Sequence, residues 1–325
     1  MYSGIKLSVI GCGKWGINHV RTAHKLLGGN LLSVCDKSRS AEPKIKEISD
    51  KIEFCDGILG LLENKEINSV IVSTPAETHF EIAKMCLEHG KHVLVEKPIT
   101  LYSTEAESLI SLAESKNLVL MVGHVLLYHP AVLKMKEMID GDHIGRIQYI
   151  YSNRLNLGTI RKEENILWSF APHDISVIQY LLDNKKPDSV YAQGATFLQK
   201  NIEDTTLTYI KYPENIHVHI YVSWLHPFKE QRLVVIGDKG MIVFEDSLKA
   251  EKLKYYKKGF NIVDGEIEKF DSDYEVITFE NKQPLEEEQK NFFECVSSGS
   301  VPRTDGRHAK EVLEILEKAQ KRLDN

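Results

Sequence analysis

A short apolar segment followed at once by three closely spaced glycines restricts the fold of this chain most strongly. Lys6–Ile10 has the length and the aliphatic content of a buried strand. The glycines come directly after it, at Gly11, Gly13 and Gly16. Gly11 allows a tight turn, Gly13 lets the backbone approach a ligand, and Gly16 permits a helix to pack closely on the strand. This order is typical of the first strand, loop and helix of a doubly wound α/β domain.

Strands and helices alternate up to residue 123. The predicted helices lie over Glu77–His89 and Thr104–Lys116, where apolar side chains recur at helical spacing. Four further segments are short, aliphatic and bounded by turn residues, and we predict them as strands: Leu31–Cys35, Ser69–Ser73, His92–Val95 and Val119–Val122. Because these strands are almost continuously apolar, we expect them to be buried on both faces of a parallel sheet. Residues 1–123 are therefore predicted to form a Rossmann domain.

The pattern changes after Gly123, where a helix at Ala131–Ile139 precedes many short strands joined by tight turns. The predicted strands are Ile147–Ser152, Val190–Phe197, Thr205–Lys211, Ile216–Trp224, Arg232–Ile236 and Met241–Phe244. Short connections favour antiparallel pairing, so residues 124–325 are predicted to form an α/β domain with a large open, mostly antiparallel sheet. Lys249–Glu280 is interpreted as a long hairpin, and Leu285–Val296 and Ala309–Arg322 as closing helices. We expect the last helix either to belong to this domain or to pack back on the first domain.

Composition excludes several classes of protein. The net charge is −6, and basic residues are interleaved with acidic ones, so we expect neither a nucleic-acid nor a membrane partner. No apolar run approaches the roughly 18 residues of a membrane span, and the first residues lack the layout of a secretory signal, which predicts a cytoplasmic protein. The five cysteines are scattered and are expected to be reduced thiols, mostly buried. No residues lie at the spacing of metal ligands, so no metal is predicted.

The glycine loop also predicts a dinucleotide site. The helix after Gly16 directs its free N–H groups at the phosphates of a bound cofactor, and Lys14 and Trp15 lie in the same loop. Asp36 ends the next strand, where its carboxylate can accept hydrogen bonds from ribose hydroxyls and would repel a 2′-phosphate. This favours NAD, although Ser38 and Arg39 lie close enough to leave NADP open. An alternative for Asp36 is a helix cap.

Three neighbouring strands end in polar or proline-containing segments. Thr74-Pro75 ends one strand, Lys97 follows the next in Glu96-Lys97-Pro98, and His124 follows Gly123. The carboxyl ends of parallel strands meet at the ligand crevice of an open α/β sheet, so Lys97 is a candidate catalytic residue. Considered alone, a lysine at a strand end is usually just solvated.

Together these motifs resemble the glucose–fructose oxidoreductase, inositol dehydrogenase and rhizopine-catabolism (Gfo/Idh/MocA) family. The resemblance implies an oxidoreductase with a Rossmann domain and a second domain whose open sheet often forms a homodimer or homotetramer. It implies that Lys97 hydrogen-bonds the reacting hydroxyl or carbonyl. The residues that it implies around the cofactor are Gly11, Gly13, Lys14, Trp15, Gly16, Asp36, Ser73, Thr74, Pro75, His79, Glu96 and Lys97.

The resemblance also implies a histidine on the helix after the second domain's first strand, and in this chain it is His173. Near its unperturbed pKa of about 6.5, such a histidine can take the proton of the reacting hydroxyl. Without the resemblance, His173 is interpreted as a helix-start residue satisfied by Asp174. Many relatives carry an aspartate four residues earlier, where this chain has Ser169, so proton transfer would depend on Lys97 and His173.

The segment from Asn153 to Trp168 is rich in residues that recognise sugars and phosphates. We predict Arg154 and Arg161 as diphosphate ligands, and Trp168 as a stacking platform for a sugar. The predicted substrate site is completed by Asn156 and Asn165, which could read hydroxyl or acetamido groups, and by Lys97, His124, His173 and Asp174. The alternative is that the segment from Asn153 to Trp168 is an exposed polar loop that binds no substrate.

The pattern in this segment resembles the branch that oxidises the 3-hydroxyl of the nucleotide sugar UDP-N-acetylglucosamine. The resemblance further implies that an aminotransferase consumes the keto product, in the synthesis of amino sugars for cell-surface glycans. Two alternatives stay open. One is an inositol or free-sugar dehydrogenase of the same family, and the other is a dinucleotide-binding regulator without turnover.

Overall fold

The computed structural model describes residues 2–324 and has an α/β fold with two separate sheets. The chain divides into two compact units. The first comprises Met1–Tyr128 and Lys282–Leu313, and the second comprises His129–Asn281 and Glu314–Asn325. Residues 282–313 thus belong to the first unit, although the sequence analysis assigned them to the second domain. Within residues 2–324, no helix is both long and apolar enough to cross a membrane.

The first unit is built on a six-stranded sheet in which every pair of neighbours is parallel. Its strands are β1 (Leu7–Ile10), β2 (Leu31–Cys35), β3 (Glu53–Cys55), β4 (Ser69–Val72), β5 (His92–Glu96) and β6 (Leu120–Gly123). Their order is β3-β2-β1-β4-β5-β6, that of a Rossmann domain. The five predicted strands are confirmed. The edge strand β3 was missed because it has only three residues and is partly exposed.

The helices of the first unit are α1 (Gly16–Leu27), α2 (Glu42–Ile48), α3 (Ile58–Glu63), α4 (His79–Glu88), α5 (Ser103–Ser115), α8 (Pro284–Ser298) and the first part of α9 (Gly306–Leu323). Of these, α1, α3, α4 and α5 contact strands of the sheet, and α8 packs against α1. The interior is aliphatic, and β1 and β4 are fully buried. Burial on both faces explains the continuous apolar character of these strands.

The second unit contains an eight-stranded sheet that is antiparallel except for one pair. Its strands are β7 (Ile147–Leu157), β8 (Ser189–Ala195), β9 (Thr205–Tyr212), β10 (Ile216–Ser223), β11 (Leu225–Gly237), β12 (Met241–Glu245), β13 (Leu253–Val263) and β14 (Glu266–Val276). Their order is β14-β13-β12-β11-β7-β10-β9-β8, and the neighbouring strands β7 and β10 are parallel. The predicted hairpin is confirmed by β13 and β14. The open sheet is confirmed as well.

One face of this sheet is covered by α7 (Ile166–Leu181), which packs against β7, β9 and β10. The helix α6 (Pro130–Asp140) contacts α7 and β12. Along β10, side chains alternate between buried and more exposed positions, as the sequence pattern predicts.

The expectation of reduced cysteines is wrong for one pair. Cys35 and Cys55 form a disulfide, because β2 and β3 are adjacent parallel strands that place these two residues opposite each other. The missed strand β3 explains why the sequence did not suggest this pairing. Cys12, Cys86 and Cys295 are free and buried, as expected.

Candidate active site

The glycine loop after β1 has the geometry that the sequence predicts. Gly11 has a positive φ of 92°, and a Cβ added there would lie 2.4 Å from the carbonyl oxygen of Ser73. A Cβ on Gly16 would lie 2.1 Å from the carbonyl oxygen of Gly11, so both positions exclude a side chain. By contrast, a Cβ on Gly13 would meet no protein atom within 4 Å. The open space at Gly13 fits the close approach of a cofactor's pyrophosphate.

Asp36 is tied directly to this loop. Its Oδ2 accepts a hydrogen bond from the backbone N–H of Cys12 at 2.6 Å, and its Oδ1 accepts one from the N–H of Ser38 at 2.8 Å. Because α2 begins only at Glu42, Asp36 does not cap that helix, and this alternative is wrong. The half-buried carboxylate lies at the end of β2, where a ribose-binding acid is expected.

Glu96 is the centre of a buried hydrogen-bond network behind Lys97. Its Oε1 accepts hydrogen bonds from Trp15 Nε1 at 2.5 Å and from His19 Nε2 at 2.7 Å, and its Oε2 accepts one from the N–H of Lys97 at 3.1 Å. A Cβ on Gly123 would lie 2.9 Å from the Glu96 carboxyl carbon, so a side chain at this position would displace the Glu96 carboxylate. The network joins the cofactor loop to the strand end that carries Lys97.

A second buried acid, Glu288 of α8, lies beside this network. His19, Glu96 and Glu288 each have a ligand-type atom within 4.8 Å of the others, but the hydrogen bonds from Trp15 and His19 already occupy Glu96 Oε1. Among residues 2–324, neither carboxylate oxygen of Glu288 has a hydrogen-bond partner. Burial raises the pKa of Glu288 well above its usual range, and the charge of Glu96 adds to the effect. We therefore assign Glu288 as a neutral carboxylic acid.

The pKa of Glu96 moves in the opposite direction. Burial favours its neutral form, but hydrogen bonds from His19 and Trp15, with the nearby charge of Lys97, hold its pKa below the usual range. Glu96 is therefore the ionised member of the pair. His19 and Glu288 were not predicted from the sequence, because the partners lie 77 and more residues apart along the chain.

Lys97 and His124 follow the ends of the adjacent strands β5 and β6, as predicted. His124 is buried and packs edge-on against His308, with 5.6 Å between the ring centroids. Burial holds the pKa of His124 well below its usual range, and the charges of His308 and Lys97 contribute. His124 is thus a neutral imidazole beside a cation.

The loops after β4 and β5 are joined by His79. Its Nδ1 lies 2.7 Å from the carbonyl oxygen of Pro98, and its Nε2 lies 2.9 Å from that of Thr74. Thr74 also accepts a hydrogen bond from Thr78 at 2.7 Å. His79 is buried, and its two contacts hold the Thr74-Pro75 and Lys97-Pro98 segments together. Lys14, Ser73 and Pro75 lie at the predicted loop ends and are partly or fully exposed.

His173 of the second unit lies on α7, the helix that follows β7, where the resemblance places the proton-accepting histidine. The helix begins at Ile166, so His173 lies two turns inside it and its interpretation as a helix-start residue is wrong. The actual cap is Asn165, whose Oδ1 accepts a hydrogen bond from the N–H of Trp168 at 3.2 Å. Ser169 is buried one turn before His173 on the same helix.

Several residues predicted to bind substrate have partners within the second unit. Arg154 donates two hydrogen bonds to Asp174, from Nε to Oδ2 at 2.7 Å and from Nη2 to Oδ1 at 3.1 Å. The side-chain amide of Asn165 and the indole N–H of Trp168 each donate a hydrogen bond to Gln320 Oε1, at 2.9 Å in both cases. Glu203 also accepts a hydrogen bond from Asn165, at 2.6 Å.

The remaining predicted substrate residues are more accessible. The Arg161 side chain is 55% exposed, and its Nε lies 3.9 Å from Glu164. Asn156 is half-buried on β7, on the same face as Arg154. This unit therefore offers an exposed guanidinium and an amide at the end of β7, while the first unit provides a glycine cradle, an anchored acid and a lysine.

Comparison with known proteins agrees with these features. A family model described as "Oxidoreductase family, NAD-binding Rossmann fold" matches residues 5–124, and a model of the "GFO/IDH/MocA C-terminal domain" matches residues 132–243. Inositol 2-dehydrogenase of Salmonella typhimurium is 24% identical over 311 residues, covering 92% of this chain and 88% of the relative.

Two further comparisons involve a nucleotide-sugar enzyme. UDP-N-acetylglucosamine 3-dehydrogenase of Acidithiobacillus ferrooxidans is 29% identical over 193 residues, covering 58% of each chain. A solved structure of that enzyme is similar in fold, with a TM-score of 0.85 and 21% identity over 98% of this chain and 97% of the other.

Proposed function

Since the chain belongs to the Gfo/Idh/MocA family of NAD-dependent oxidoreductases, we propose that it oxidises the 3-hydroxyl of UDP-N-acetylglucosamine to a ketone. The observation that carries this choice is the exposed guanidinium of Arg161 in the segment after β7. A diphosphate can accept charge-assisted hydrogen bonds from such a group, whereas a neutral sugar or inositol offers no anion. The relative from Acidithiobacillus ferrooxidans supports the same substrate class.

The proposed chemistry divides between the two units. NAD, when bound, supplies the acceptor for the hydride that leaves the oxidised carbon. Lys97 hydrogen-bonds the reacting hydroxyl, and His173 takes its proton as general base. Asp36 accepts hydrogen bonds from the ribose, and the glycine loop accommodates the pyrophosphate. Asn156 and Trp168 are proposed to contact the sugar, the former by its amide and the latter by the face of its ring.

An inositol or free-sugar dehydrogenase is the second candidate. It is favoured by the inositol 2-dehydrogenase of Salmonella typhimurium, which aligns over 92% of this chain, whereas the nucleotide-sugar relative aligns over 58%. The two candidates differ in whether the substrate carries phosphate, so the role of Arg161 distinguishes them.

The test is to incubate the purified protein with NAD and UDP-N-acetylglucosamine and to weigh the sugar nucleotide by mass spectrometry. Parallel incubations with myo-inositol and glucose, and with the Lys97→Ala protein, serve as controls. A nucleotide sugar lighter by two hydrogen atoms, formed only by the wild type, is expected. Oxidation of inositol or glucose in its absence would overturn the proposal in favour of the second candidate.

We also propose that a second copy of the chain covers the outer face of the eight-stranded sheet. Tyr149, Tyr191 and Leu207 lie on this face and are 40 to 51% exposed, although large apolar side chains seldom cluster on a monomer's surface. Light scattering of the wild type is expected to give a dimer or tetramer, and a Leu207→Lys protein a smaller species. A wild-type monomer would refute the proposal.

We propose that an aminotransferase consumes the ketone that this reaction forms.

A further inference from the structure

The carboxylate of Asp174, the residue after His173, is held by three hydrogen bonds from β7. Arg154 donates two of them, at 2.7 and 3.1 Å, and Ser152 Oγ donates the third to Oδ1 at 2.6 Å. The side chains are only 13% (Arg154) and 5% (Asp174) exposed. Such bidentate, charge-assisted contacts are strong and specific in direction. They fix the position of α7 on the sheet at the turn that carries His173.

The helix itself is weakened at this point. Pro172 lies inside α7, immediately before His173, and has no N–H to donate to the carbonyl of Trp168. The backbone around His173 is thus less constrained by helical hydrogen bonds than a regular helix would be. The ties of Asp174 to β7 lie directly after the missing bond, where they can compensate for it.

We infer that Arg154 is a positioning residue that acts through Asp174 on His173, rather than a ligand of the substrate diphosphate. Both donor atoms described above point at Asp174, which leaves Arg161 as the exposed guanidinium of this segment. Arginine suits this task, because its planar fork matches a carboxylate in two hydrogen bonds, whereas a lysine ammonium cannot reproduce the fork. The inference rests on the proposed function, since it assigns His173 to proton transfer.

The two roles of Arg154 predict different kinetics. A positioning residue fixes the geometry of the reacting group, so its loss lowers kcat with little change in KM. A diphosphate ligand contributes mainly to binding, so its loss raises KM. Misplacement of a catalytic group by about 1 Å can reduce the rate by about a hundredfold.

The test compares Arg154→Lys, Asp174→Asn and the double variant with wild type, with UDP-N-acetylglucosamine as the varied substrate. We expect each single variant to lower kcat by about tenfold to a hundredfold and to change KM by less than about threefold. We expect the double variant to be no worse than the more impaired single variant, because both changes break one unit. Arg232→Lys is the matched control: Arg232 pairs with Glu245 on the opposite face of the sheet and is expected to retain wild-type kcat.

Arg154→Lys retains a positive charge beside Asp174, so we expect this variant to remain folded. Its thermal unfolding, compared with that of the wild type, checks that it does. A rise in KM of tenfold or more with kcat unchanged would show that Arg154 binds substrate and would overturn the inference. Additive losses in the double variant would overturn it as well. If the wild type does not oxidise UDP-N-acetylglucosamine, the proposed function fails first, and the same variants are then measured with the sugar or inositol that the wild type does oxidise.

Discussion

The two units of the molecule use their polar residues differently. In the first unit, the predicted cofactor loop depends on three glycines, and the space around Gly13 is open to a ligand. In the second unit, most of the predicted substrate residues are long side chains, and Arg154, Asn165 and Trp168 hydrogen-bond to other residues of that unit.

The difference follows from what each unit is proposed to bind. A pyrophosphate is recognised by backbone N–H groups and by the absence of side chains, and both are determined by a few consecutive residues. A substrate pocket is formed by side chains from separate elements, and each of these can equally well bind a neighbouring residue. Cofactor residues are therefore predictable from a local motif, while substrate residues have to be distinguished by their contacts. Four predictions test this comparison, in order of decreasing effect.

Replacement of Lys97 by alanine should reduce turnover by about a hundredfold to ten-thousandfold, the range of a lost proton-handling group. The affinity for NAD should stay within about twofold of wild type, because the glycine loop and Asp36 are intact. Steady-state kinetics and NAD titration by intrinsic fluorescence measure the two quantities. Lys51→Ala, an exposed lysine of the same unit, is the control. An active Lys97→Ala protein would contradict the assignment of the first unit's catalytic residue.

Arg161→Ala should raise KM for UDP-N-acetylglucosamine by about tenfold to a hundredfold, which corresponds to one lost charge-assisted hydrogen bond of about 1.5–3 kcal/mol. For any neutral sugar that the protein accepts, KM should hardly change. Initial rates over a range of both substrates give the comparison, with Arg146→Ala as a second exposed arginine of the same unit. Equal effects on charged and neutral substrates would break the proposed division between Arg161 and Arg154.

Asp36→Ala should weaken NAD binding by about tenfold, since the ribose loses a charged acceptor, and should narrow the preference for NAD over NADP. Both dissociation constants can be measured by calorimetry, with Asp50→Ala as the control for an exposed acid of the same unit. If the ratio of the dissociation constants of NAD and NADP does not change, Asp36 only stabilises the glycine loop through its hydrogen bond with Cys12 and does not select the cofactor.

Glu288→Gln should increase stability at neutral pH. The pKa of Glu288 is raised in the folded protein, so unfolding releases its proton above the unfolded pKa of about 4.3. The free energy of unfolding of the wild type then falls as the pH rises toward the folded pKa, and Glu288 contributes up to about 1.4 kcal/mol per pH unit to this fall. The glutamine variant has no ionisable group at this position and lacks this loss.

Urea unfolding between pH 5 and 8 measures the difference, which should grow with pH. Glu287→Gln is the neighbouring control, because Glu287 is half-exposed and paired with Lys290. A difference that does not depend on pH would show that Glu288 is ionised in the folded protein.

The sequence was most informative where the physical constraint is local. The strand at Leu31–Cys35 was predicted to the residue because it has a clear apolar pattern, and the hairpin within 249–280 was predicted correctly although this segment is polar. The strand Glu53–Cys55 was too short to show a pattern, so the disulfide Cys35–Cys55 was missed with it.

Contacts between side chains that lie far apart along the chain could not be predicted from the sequence. His19, Glu96 and Glu288 come from three elements that are distant along the chain, and each alone has the character of an ordinary buried or solvated residue. The pairing of Arg154 with Asp174 depends on α7 crossing β7, which periodicity does not reveal. The assignment of 282–313 to the first unit likewise depends on tertiary contacts.

In the proposed reaction, the hydrogen at C3 of the nucleotide sugar is transferred to NAD. This transfer is tested most directly with UDP-N-acetylglucosamine that carries deuterium at C3, followed by mass spectrometry of both the sugar nucleotide and the recovered dinucleotide. We expect that the ketone has lost the label and that the reduced dinucleotide has gained it. Reduced dinucleotide without deuterium, or an unchanged sugar alongside oxidised inositol, would contradict the proposed reaction.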